Sequence, residues 1–503
     1  MSGVSEAELI AFLSTLAPRR IETACAHVFV GEDTAWKIKR HVDLGYADLS
    51  TPERRQWALG RELEFNKAAA PHIYRAVHAV TREADGALAL AGAGEAVEHV
   101  LEMRRFDERE LLSAKPWALD GDLAEALGRT IAGFHADAPL RPEGGLSAIA
   151  FTIGSNAQLL RETCDGLDPE RVERMIALTE AELERQAPLL ARRSAAGFAR
   201  RCHGDLHLAN ILMEDGQPIL LDCIEFNDLL SDLDVLYDLA FLLMDLDFRD
   251  RRDAGVRVLS AYLDEASRTF GSAIWEGLAA LPLLMAVRAA IRAHVEAHSG
   301  RTDVAQAYVD AAIRHLAPEP PALLAVGGLS GSGKSTFARA IAPAAGASPG
   351  AVVLRTDEIR KRLLGVAPTQ AVSRAAYTPE LHARTYDTLF ADARALLAAG
   401  RAVVLDATFT NPAMRERAEA LAGEFGAPFE GVWLEAPLAV LEARVAGRTG
   451  DASDATVEVL RDQFEELDPR IGWRRVDTSG SAEIAARAWV TERWPRFRRA
   501  PLP

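Results

Sequence analysis

A glycine-rich segment that follows a short apolar run constrains this chain more than any other feature. Residues 323–326 read Leu-Leu-Ala-Val, and residues 328–336 match the pattern G-x-x-x-x-G-K-[ST]. In such a loop the backbone N–H groups surround phosphate oxygens, the lysine adds charge at the β- and γ-phosphates, and the first hydroxyl can reach Mg²⁺. The pattern predicts a strand, a phosphate-binding loop and a helix. The predicted nucleotide-binding residues are Gly328, Ser330, Gly331, Ser332, Gly333, Lys334, Ser335 and Thr336.

A second group of polar residues lies well before this loop. Asp205 precedes Asn210 by five positions, and Asp222 follows a hairpin that Asp215-Gly216 marks. Phosphoryl transfer needs one carboxylate to orient the acceptor hydroxyl, and an amide and a second carboxylate to hold Mg²⁺ on the ATP phosphates. The spacing therefore predicts Asp205 as a catalytic residue and Asn210 and Asp222 as metal ligands.

With these motifs, residues about 20–315 resemble the aminoglycoside phosphotransferase family, whose hallmark is H-G-D-x-x-x-x-N followed by an Asp at the end of a hairpin. Residues about 321–503 look like a small P-loop kinase of the group that includes polynucleotide kinase, gluconate kinase and zeta-toxin-like enzymes. The tandem is similar to a bacterial fusion family that joins these two kinds of domain.

This resemblance implies a fold class of α/β and α+β. We expect a protein-kinase-like two-lobed domain over residues 1–317, with a small lobe at about 20–105 and a large lobe at about 106–315. A P-loop domain with three α/β/α layers and a parallel sheet should occupy residues 318–503. The proline-rich segment 316–321 favours a short extended linker between them.

Composition sets limits on the class of protein. A chain of 503 residues suits two or three domains, and 49% hydrophobic with 26% charged residues is ordinary for a soluble globular protein. The four cysteines have no C-x-x-C spacing, which predicts neither disulfides nor a zinc site and fits a cytoplasmic protein. The N-terminus lacks the basic start of a signal peptide, and no uninterrupted run of about eighteen apolar residues occurs. We therefore expect no membrane partner.

The net charge of −16 is unevenly distributed along the chain. Residues 1–320 carry 34 basic and 51 acidic side chains, whereas residues 321–503 carry 23 and 22. An acidic module repels nucleic acid and tolerates cationic substrates, although an acidic surface that serves solubility explains the imbalance equally well. Nucleic acid is therefore an expected partner for the second module only, as an alternative.

The first module also carries a candidate lysine for ATP. Strands are predicted at residues 27–30 and 34–39, and alternation places Lys37 and Lys39 on one face. In kinase-like folds a strand lysine contacts the α- and β-phosphates and pairs with a helix glutamate. Lys37 with Glu62, on a helix predicted over Pro52–Ala69, is the preferred cofactor-binding pair; the second lysine and Glu64 remain alternatives.

Carboxylates that follow Asp222 are candidates for other roles. Glu225 and Asp228 lie close enough to it in the sequence to line an acceptor site. The family resemblance also assigns an Asp-Leu-Ala signature to Asp238, which implies structural support near the catalytic loop. Caps and solvated positions explain most of the remaining carboxylates.

The second module has its own candidate residues beyond the P-loop. The resemblance assigns Asp357 to the acceptor hydroxyl and Arg360 to substrate binding, although a helix N-cap also explains the aspartate. Asp406 ends a predicted buried strand, from which a carboxylate reaches the Mg²⁺ shell. Thr408 follows it at the edge where α/β folds place substrates, as does Asn411.

A lid arginine and the overall activity complete the sequence predictions. Arg448 lies on a glycine-flanked segment that suits a mobile lid over the transferring phosphate, and Arg444 is the alternative. We predict an enzyme with two modules, each of which moves the γ-phosphate of ATP, with Mg²⁺, to a hydroxyl of a small molecule. The alternatives are polynucleotide 5′-hydroxyl phosphorylation by the second module, or one module acting as a regulatory pseudokinase that binds ATP.

Overall fold

The computed structural model of the protein describes residues 4–45, 47–163, 166–317, 319–373, 378–447, 452–465, 467–468 and 470–493. The chain divides into two compact units, and each unit is assembled from separate parts of the chain. The first comprises Met1–Leu119, Ala138–Thr152 and Arg193–Asp238, and the second comprises Asp120–Asp137, Ile153–Arg192 and Leu239–Pro503.

A six-stranded antiparallel sheet forms the base of the first unit, with the strand order β1-β2-β3-β6-β4-β5. Its strands are β1 (Arg19–Glu22), β2 (Ala26–Val30), β3 (Thr34–Lys39), β4 (Tyr74–Arg82), β5 (Leu88–Leu90) and β6 (Glu95–Arg104). Helix α1 (Glu6–Leu16) packs on one apolar cluster of this unit, and Leu59 of helix α2 (Pro52–Ala69) packs in another. The start of α2 is set locally, because the Thr51 side chain accepts a hydrogen bond from the Arg54 N–H and Pro52 begins the helix.

Two short strand pairs in the same unit flank the loops that carry Asp205, Asn210 and Asp222. They comprise β7 (Ala199–Arg201) with β10 (Asp232–Asp234), and β8 (Ile211–Glu214) with β9 (Gln217–Leu220). The second pair is a hairpin whose turn residues Asp215 and Gly216 both have positive φ, at 50° and 73°. This is the geometry of the tight turn that Asp-Gly favours, and it confirms the predicted hairpin. Leu212 and Leu221 pack into the cluster beneath α2, which fixes the hairpin to the sheet.

Helices make up the part of the second unit that precedes the P-loop segment, and three of them (α4, α5 and α6) also have residues in the first unit. They are α3 (Gly121–Asp137), α4 (Leu146–Thr163), α5 (Pro169–Ala195), α6 (Val235–Phe248), α7 (Arg252–Phe270), α8 (Ala273–Glu276), α9 (Leu281–His298) and α10 (Thr302–His315). The stretch Ala273–His298 is long and apolar enough to cross a membrane, but 78% of its apolar window is buried inside the protein. Glu276, Arg288 and Arg292 interrupt it, so it contains no uninterrupted apolar run of about eighteen residues.

The remainder of the second unit contains a five-stranded parallel sheet in the order β12-β13-β11-β14-β15. Its strands are β11 (Leu323–Gly328), β12 (Val352–Arg355), β13 (Val403–Asp406), β14 (Phe429–Glu435) and β15 (Arg474–Asp477). The helices are α11 (Lys334–Ile341), α12 (Thr356–Leu363), α13 (Pro379–Ala398), α14 (Pro412–Glu424), α15 (Leu438–Ala446), α16 (Val457–Glu465) and α17 (Ala482–Arg493). On one face of the sheet, Val326 and Val404 pack with the helix residues Phe337 and Trp489. Strand side chains alternate, so Ala325 lies on the other face, and it is buried as well. Helices therefore cover both faces, which confirms the predicted P-loop fold class.

Helix α7 packs directly against the parallel sheet within this second unit. Val256 belongs to the apolar cluster beneath the sheet, and the Ser260 hydroxyl accepts a hydrogen bond from the Val353 N–H at 3.1 Å. Arg362 of α12 donates to Asp264 at 2.8 Å. Helix α7, which precedes the linker segment, thus packs against elements that follow it. The division into domains at residues 317 and 318 stays a prediction.

Candidate active sites

The predicted catalytic loop of the first unit, which carries Asp205 and Asn210, is held by hydrogen bonds from its own side chains. The Asn210 side-chain amide donates to the carbonyl oxygen and to the carboxylate Oδ2 of Asp205, both at 2.9 Å. Gly204, with φ of 85°, precedes this pair, and a Cβ there would lie 2.5 Å from the Leu230 carbonyl oxygen. The loop needs glycine at this position to bring Asp205 and Asn210 together.

Asp238 holds the backbone at the start of this loop. Its two carboxylate oxygens accept hydrogen bonds from the backbone N–H groups of His203 at 3.0 Å and Gly204 at 2.8 Å. Asp238 is fully buried, so these bonds satisfy a charge that would otherwise be costly to remove from water. This geometry agrees with the supporting role expected from the Asp-Leu-Ala signature.

Lys37 joins the small-lobe sheet to the segment that follows the hairpin. Its Nζ lies 2.6 Å from Glu62 Oε1 and 2.8 Å from Asp222 Oδ1. Burial opposes the charged form of Lys37, but the carboxylates of Asp222 and Glu62 raise its pKa well above the usual value. The charge of Lys37 in turn lowers the pKa of Asp222, whose backbone N–H donates to the Tyr74 hydroxyl. Lys37 thus joins Glu62 and Asp222 in one cluster of ion pairs.

Lys39 lies on the same face of β3 but reaches the protein interior. Its Nζ is 2.6 Å from Glu62 Oε2 and 2.5 Å from Glu225 Oε1, and the Lys39–Glu225 pair is buried. Burial raises the pKa of Glu225 even though Lys39 lowers it. Glu64 is exposed, so Glu62 is the helix residue that both lysines share. The expected role of Glu225 at an acceptor site remains a prediction, and its geometry suits an internal counter-ion.

Asp228 faces a group of cationic and aromatic side chains. It pairs with Arg61, and Arg201 lies 2.7 Å from its Oδ1. The Arg201 guanidinium lies 4.0 Å from the centre of the Phe65 ring. Asp228 keeps most of its side chain exposed, so its carboxylate is accessible while its position is fixed.

The predicted phosphate-binding loop connects β11 to α11. Gly328, Gly331 and Gly333 all have positive φ, and a Cβ at Gly333 would lie 2.6 Å from the Ala482 Cβ. The Lys334 Nζ donates to the Leu329 carbonyl oxygen at 3.0 Å. The ammonium group of Lys334 therefore lies beside the loop where its charge would contact the phosphates of a bound nucleotide.

The four other predicted loop residues differ in exposure. Ser330 and Ser332 are buried, Ser335 is partly buried, and Thr336 is exposed. The Ser335 hydroxyl donates to Asp406 Oδ2 at 2.6 Å. A hydroxyl and a carboxylate are hard oxygen donors, so this pair fits Mg²⁺, as does the Asn210 and Asp222 set of the first unit.

Asp357 and Arg360 form an ion pair on helix α12, with 2.7 Å between Asp357 Oδ1 and Arg360 Nη1. Asp357 lies in the first turn of the helix, and Arg355 occupies the N-cap position. The aspartate is therefore not explained as an N-cap, and its predicted catalytic role remains open to test.

Thr408 lies beside Tyr386, a residue that sequence reasoning missed. The two side-chain oxygens are 3.3 Å apart, and the Phe409 N–H donates to the Tyr386 hydroxyl at the same distance. Phe409 has a φ of 50°, which is strained for an aromatic residue. The Asn411 side chain caps helix α14 by accepting the Ala413 N–H.

Of the two arginines predicted as lid residues, the structure describes only Arg444. Arg448 lies outside the described residues. Arg444 donates to the Gly331 carbonyl oxygen at 3.3 Å and to the Thr478 carbonyl oxygen at 2.7 Å. These contacts join the phosphate-binding loop to the segment after β15, which suits an anchor for the loop.

Comparisons with known proteins show which kinds of domain the chain contains. A model of the phosphotransferase enzyme family matches residues 48–281, and a model of an AAA domain matches residues 323–469. Uncharacterised proteins of Mycobacterium tuberculosis and Mycobacterium bovis are 30% identical to the chain over 480 residues, which covers 92% of this chain and 92% of each relative.

Solved structures of kinases also match parts of the chain. A choline kinase from Cryptosporidium parvum is 12% identical and covers 62% of this chain and 94% of its own, with a TM-score of 0.41. A gluconokinase from Sinorhizobium meliloti is 23% identical and covers 36% of this chain and 97% of its own, with a TM-score of 0.26. The chain belongs to one family with the mycobacterial proteins, and it is a phosphotransferase in which an aminoglycoside-phosphotransferase-like domain precedes a P-loop kinase domain.

Proposed function

We propose that the chain uses ATP and Mg²⁺ in both modules, each of which transfers the γ-phosphate to a hydroxyl of a small-molecule acceptor. The observation that carries the proposal is the pairing of Lys37 with both Glu62 and Asp222, in the unit that also holds Asp205 and Asn210. In kinases a strand lysine that pairs with a helix glutamate, together with a separate carboxylate that holds Mg²⁺, positions the ATP phosphates. We assign the protein to the cytoplasm, in keeping with its cysteine pattern.

In the first module Asp205 orients the acceptor hydroxyl and accepts its proton. The acceptor oxygen bonds to the γ-phosphorus while the bond to the bridging oxygen of ADP breaks. Lys37 would contact the α- and β-phosphates, and Asn210 and Asp222 would hold Mg²⁺. Bound Mg²⁺ would neutralise the charge that develops on the phosphate oxygens. Asp228, and less directly Glu225, would face the acceptor.

The second module uses different residues for the same reaction. Asp357 receives the acceptor hydroxyl, Arg360 and Thr408 hold the acceptor, and Lys334 contacts the β- and γ-phosphates. Ser335 and Asp406 would hold Mg²⁺, because their oxygen atoms already lie 2.6 Å apart. We propose Arg448 as the residue that closes on the transferring phosphate. A nucleic-acid acceptor is proposed only as an alternative for this module.

The test uses the full chain and two variants that each silence one site. Asp205→Asn silences the first site, Lys334→Ala silences the second, and the double variant is the control. ADP release is measured with sugars, aminoglycosides and oligonucleotides as acceptors, and ATP binding is measured by calorimetry. We expect each single variant to keep one acceptor preference and the double variant to keep none. An unaltered protein that binds no ATP would contradict the proposal.

A further inference from the structure

Arg355 joins the two predicted metal ligands of the second site. Its Nε donates to Asp406 Oδ2 at 3.1 Å, and its Nη2 donates to the Ser335 hydroxyl oxygen at 2.9 Å. The Ser335 hydroxyl donates to that same carboxylate oxygen of Asp406. One guanidinium therefore constrains both oxygen donors, and only 4% of its side chain is exposed.

The position of Arg355 in the sheet is fixed by its strand. Arg355 is the last residue of β12, and it is the register partner of Asp406, the last residue of β13. Arg355 also occupies the N-cap position of α12, the helix that carries Asp357, but its side chain makes no capping hydrogen bond and is directed to Asp406 and Ser335. Because a guanidinium presents its donors in a rigid planar fork, it can hold two acceptors at once, which the single ammonium of lysine cannot do as well.

A chain of ion pairs continues from Arg355 to helix α3. Arg355 Nη1 lies 2.7 Å from Glu358 Oε1, and that carboxylate lies 3.6 Å from Arg339. Arg339 is in turn 2.6 Å from Glu125 Oε1, which Arg257 of α7 approaches to 3.1 Å. Little of these side chains is exposed, so their charges are weakly screened and depend on one another.

We infer that Arg355 is a positioning residue of the second site, which holds Asp406 and Ser335 in the geometry that Mg²⁺ requires. The ion pairs through Glu358 and Arg339 to Glu125 keep its guanidinium in place. Partners that hydrogen-bond to a ligating carboxylate orient it, and their loss lowers metal affinity. The role inferred for Arg355 is to hold these two oxygen donors, and not to contact the acceptor or the phosphate. The inference rests on the proposed nucleotide-binding function of the P-loop.

The test measures how ATP binding to the second site depends on Mg²⁺. The full chain carries Lys37→Met to weaken the first site, and ATP binding is followed calorimetrically while Mg²⁺ is varied. Arg355→Met should raise the Mg²⁺ concentration for half-maximal effect about tenfold. It should leave ATP binding in EDTA unchanged. Glu125→Gln should shift the same Mg²⁺ midpoint by a smaller factor.

Arg362→Met is the matched control. Arg362 is another little-exposed arginine near Arg355, but it pairs with Asp264 and Asp392 and with neither metal ligand. It should leave the Mg²⁺ midpoint unchanged. Arg355→Lys keeps the charge without the fork and should give a partial shift, so it decides the matter if the methionine variant fails to fold.

The possible outcomes separate this inference from the proposed function. An unchanged Mg²⁺ midpoint in both Arg355 variants would overturn the positioning role. Equal loss of ATP binding with Mg²⁺ and in EDTA would also overturn it, because it would indicate a direct phosphate contact. An unchanged midpoint in Glu125→Gln would reject the role of the ion-pair chain. If the Lys37→Met parent binds no ATP, the proposed function of the second site fails instead.

Discussion

Lys37 Nζ lies 2.8 Å from Asp222 Oδ1, whereas Lys39 Nζ lies 2.5 Å from Glu225 Oε1. Strand side chains alternate, so both lysines leave β3 on one face and both reach Glu62. They differ in access to solvent: Asp222 is 51% exposed, while Glu225 is 4% exposed. Lys37 is therefore the lysine next to an open carboxylate, and Lys39 is an internal one.

This difference in exposure predicts different effects for two matched substitutions, one on ATP binding and the other on stability. Lys37→Met should weaken ATP binding at the first site with little effect on stability. Lys39→Met should leave a buried carboxylate without its cation and destabilise the fold by about 3–5 kcal/mol. Calorimetric ATP titration and urea unfolding, both in a Lys334→Ala background, measure the two effects. The opposite pattern would show that Lys39 is the lysine that contacts ATP.

The second site is tested most simply by Lys334→Ala. Its Nζ lies beside the phosphate-binding loop, and removing one charged donor at a transition state costs roughly 2–4 kcal/mol. In protein that already carries Asp205→Asn, we expect Lys334→Ala to reduce the remaining ATP-dependent activity by an amount that corresponds to this free energy. Arg417→Ala, which removes an exposed cation paired with Asp387, is the control. An unchanged rate in Lys334→Ala would remove this loop from the proposed site.

Stability should also depend on the protonation of one histidine. Burial, with the charges of His298 and Arg292, lowers the pKa of His294 to about 4. The unfolded chain, with a histidine pKa near 6.5, therefore binds more protons between these values, and stability falls as pH drops from about 6.5 to about 4. The loss is at most roughly 3 kcal/mol.

Urea unfolding at pH 7, 5 and 4 measures this effect in the unaltered protein and in His294→Gln. The glutamine variant should lose less stability on acidification, because it has no imidazole to protonate. His298→Gln is a companion variant: it removes one of the two charges that lower the pKa of His294, so it should reduce the loss of stability without abolishing it. Parallel pH dependences in the unaltered and His294→Gln proteins would contradict the prediction.

Elements with strong local signals could be predicted from the sequence. The helix predicted over Pro52–Ala69 forms with those bounds, because a capping threonine and a proline fix its start. The hairpin at Asp215-Gly216 and the strand Thr34–Lys39 also form as expected. In each case the signal lies within the element itself.

Residues whose roles depend on distant partners could not be predicted in this way. Arg355 reads as an arginine at the end of a strand, and only the register of β12 with β13 brings it to Asp406. Tyr386 occupies an apolar position of helix α13 and reads as a core residue, although its hydroxyl contacts Thr408. Pairings across a parallel sheet leave no periodic pattern in the sequence.

The sequence also did not predict that a helix before the linker packs against the sheet that follows it. Three prolines between residues 318 and 321 mark a break in local structure. They carry no information about helix α7, whose Val256 and Ser260 contact the sheet side of the P-loop segment. These contacts join residues far apart in the chain, and small or polar residues such as Ser260 give no sequence signal for them.

The last prediction separates two aspartates of the first site. Asp205 is assigned to the acceptor hydroxyl and Asp222 to Mg²⁺, and Lys37 contacts only the second of these carboxylates among the contacts described. Asp205→Asn keeps size and most hydrogen bonding but removes the carboxylate, so it should lower kcat with little change in ATP affinity. Asp222→Asn removes an anionic ligand, so Mg²⁺-dependent ATP binding should fall as well.

ATP is titrated against each of these variants with and without Mg²⁺, in a Lys334→Ala background that silences the second site. Asp222→Asn also removes the charge that raises the pKa of Lys37. Without Mg²⁺ this variant should therefore bind ATP at least as well as the unaltered site, because the lysine is released from its ion pair. Equal loss of Mg²⁺-dependent ATP affinity in both variants would reject the division of roles. Unchanged ATP binding and turnover in both would show that this module is not catalytic.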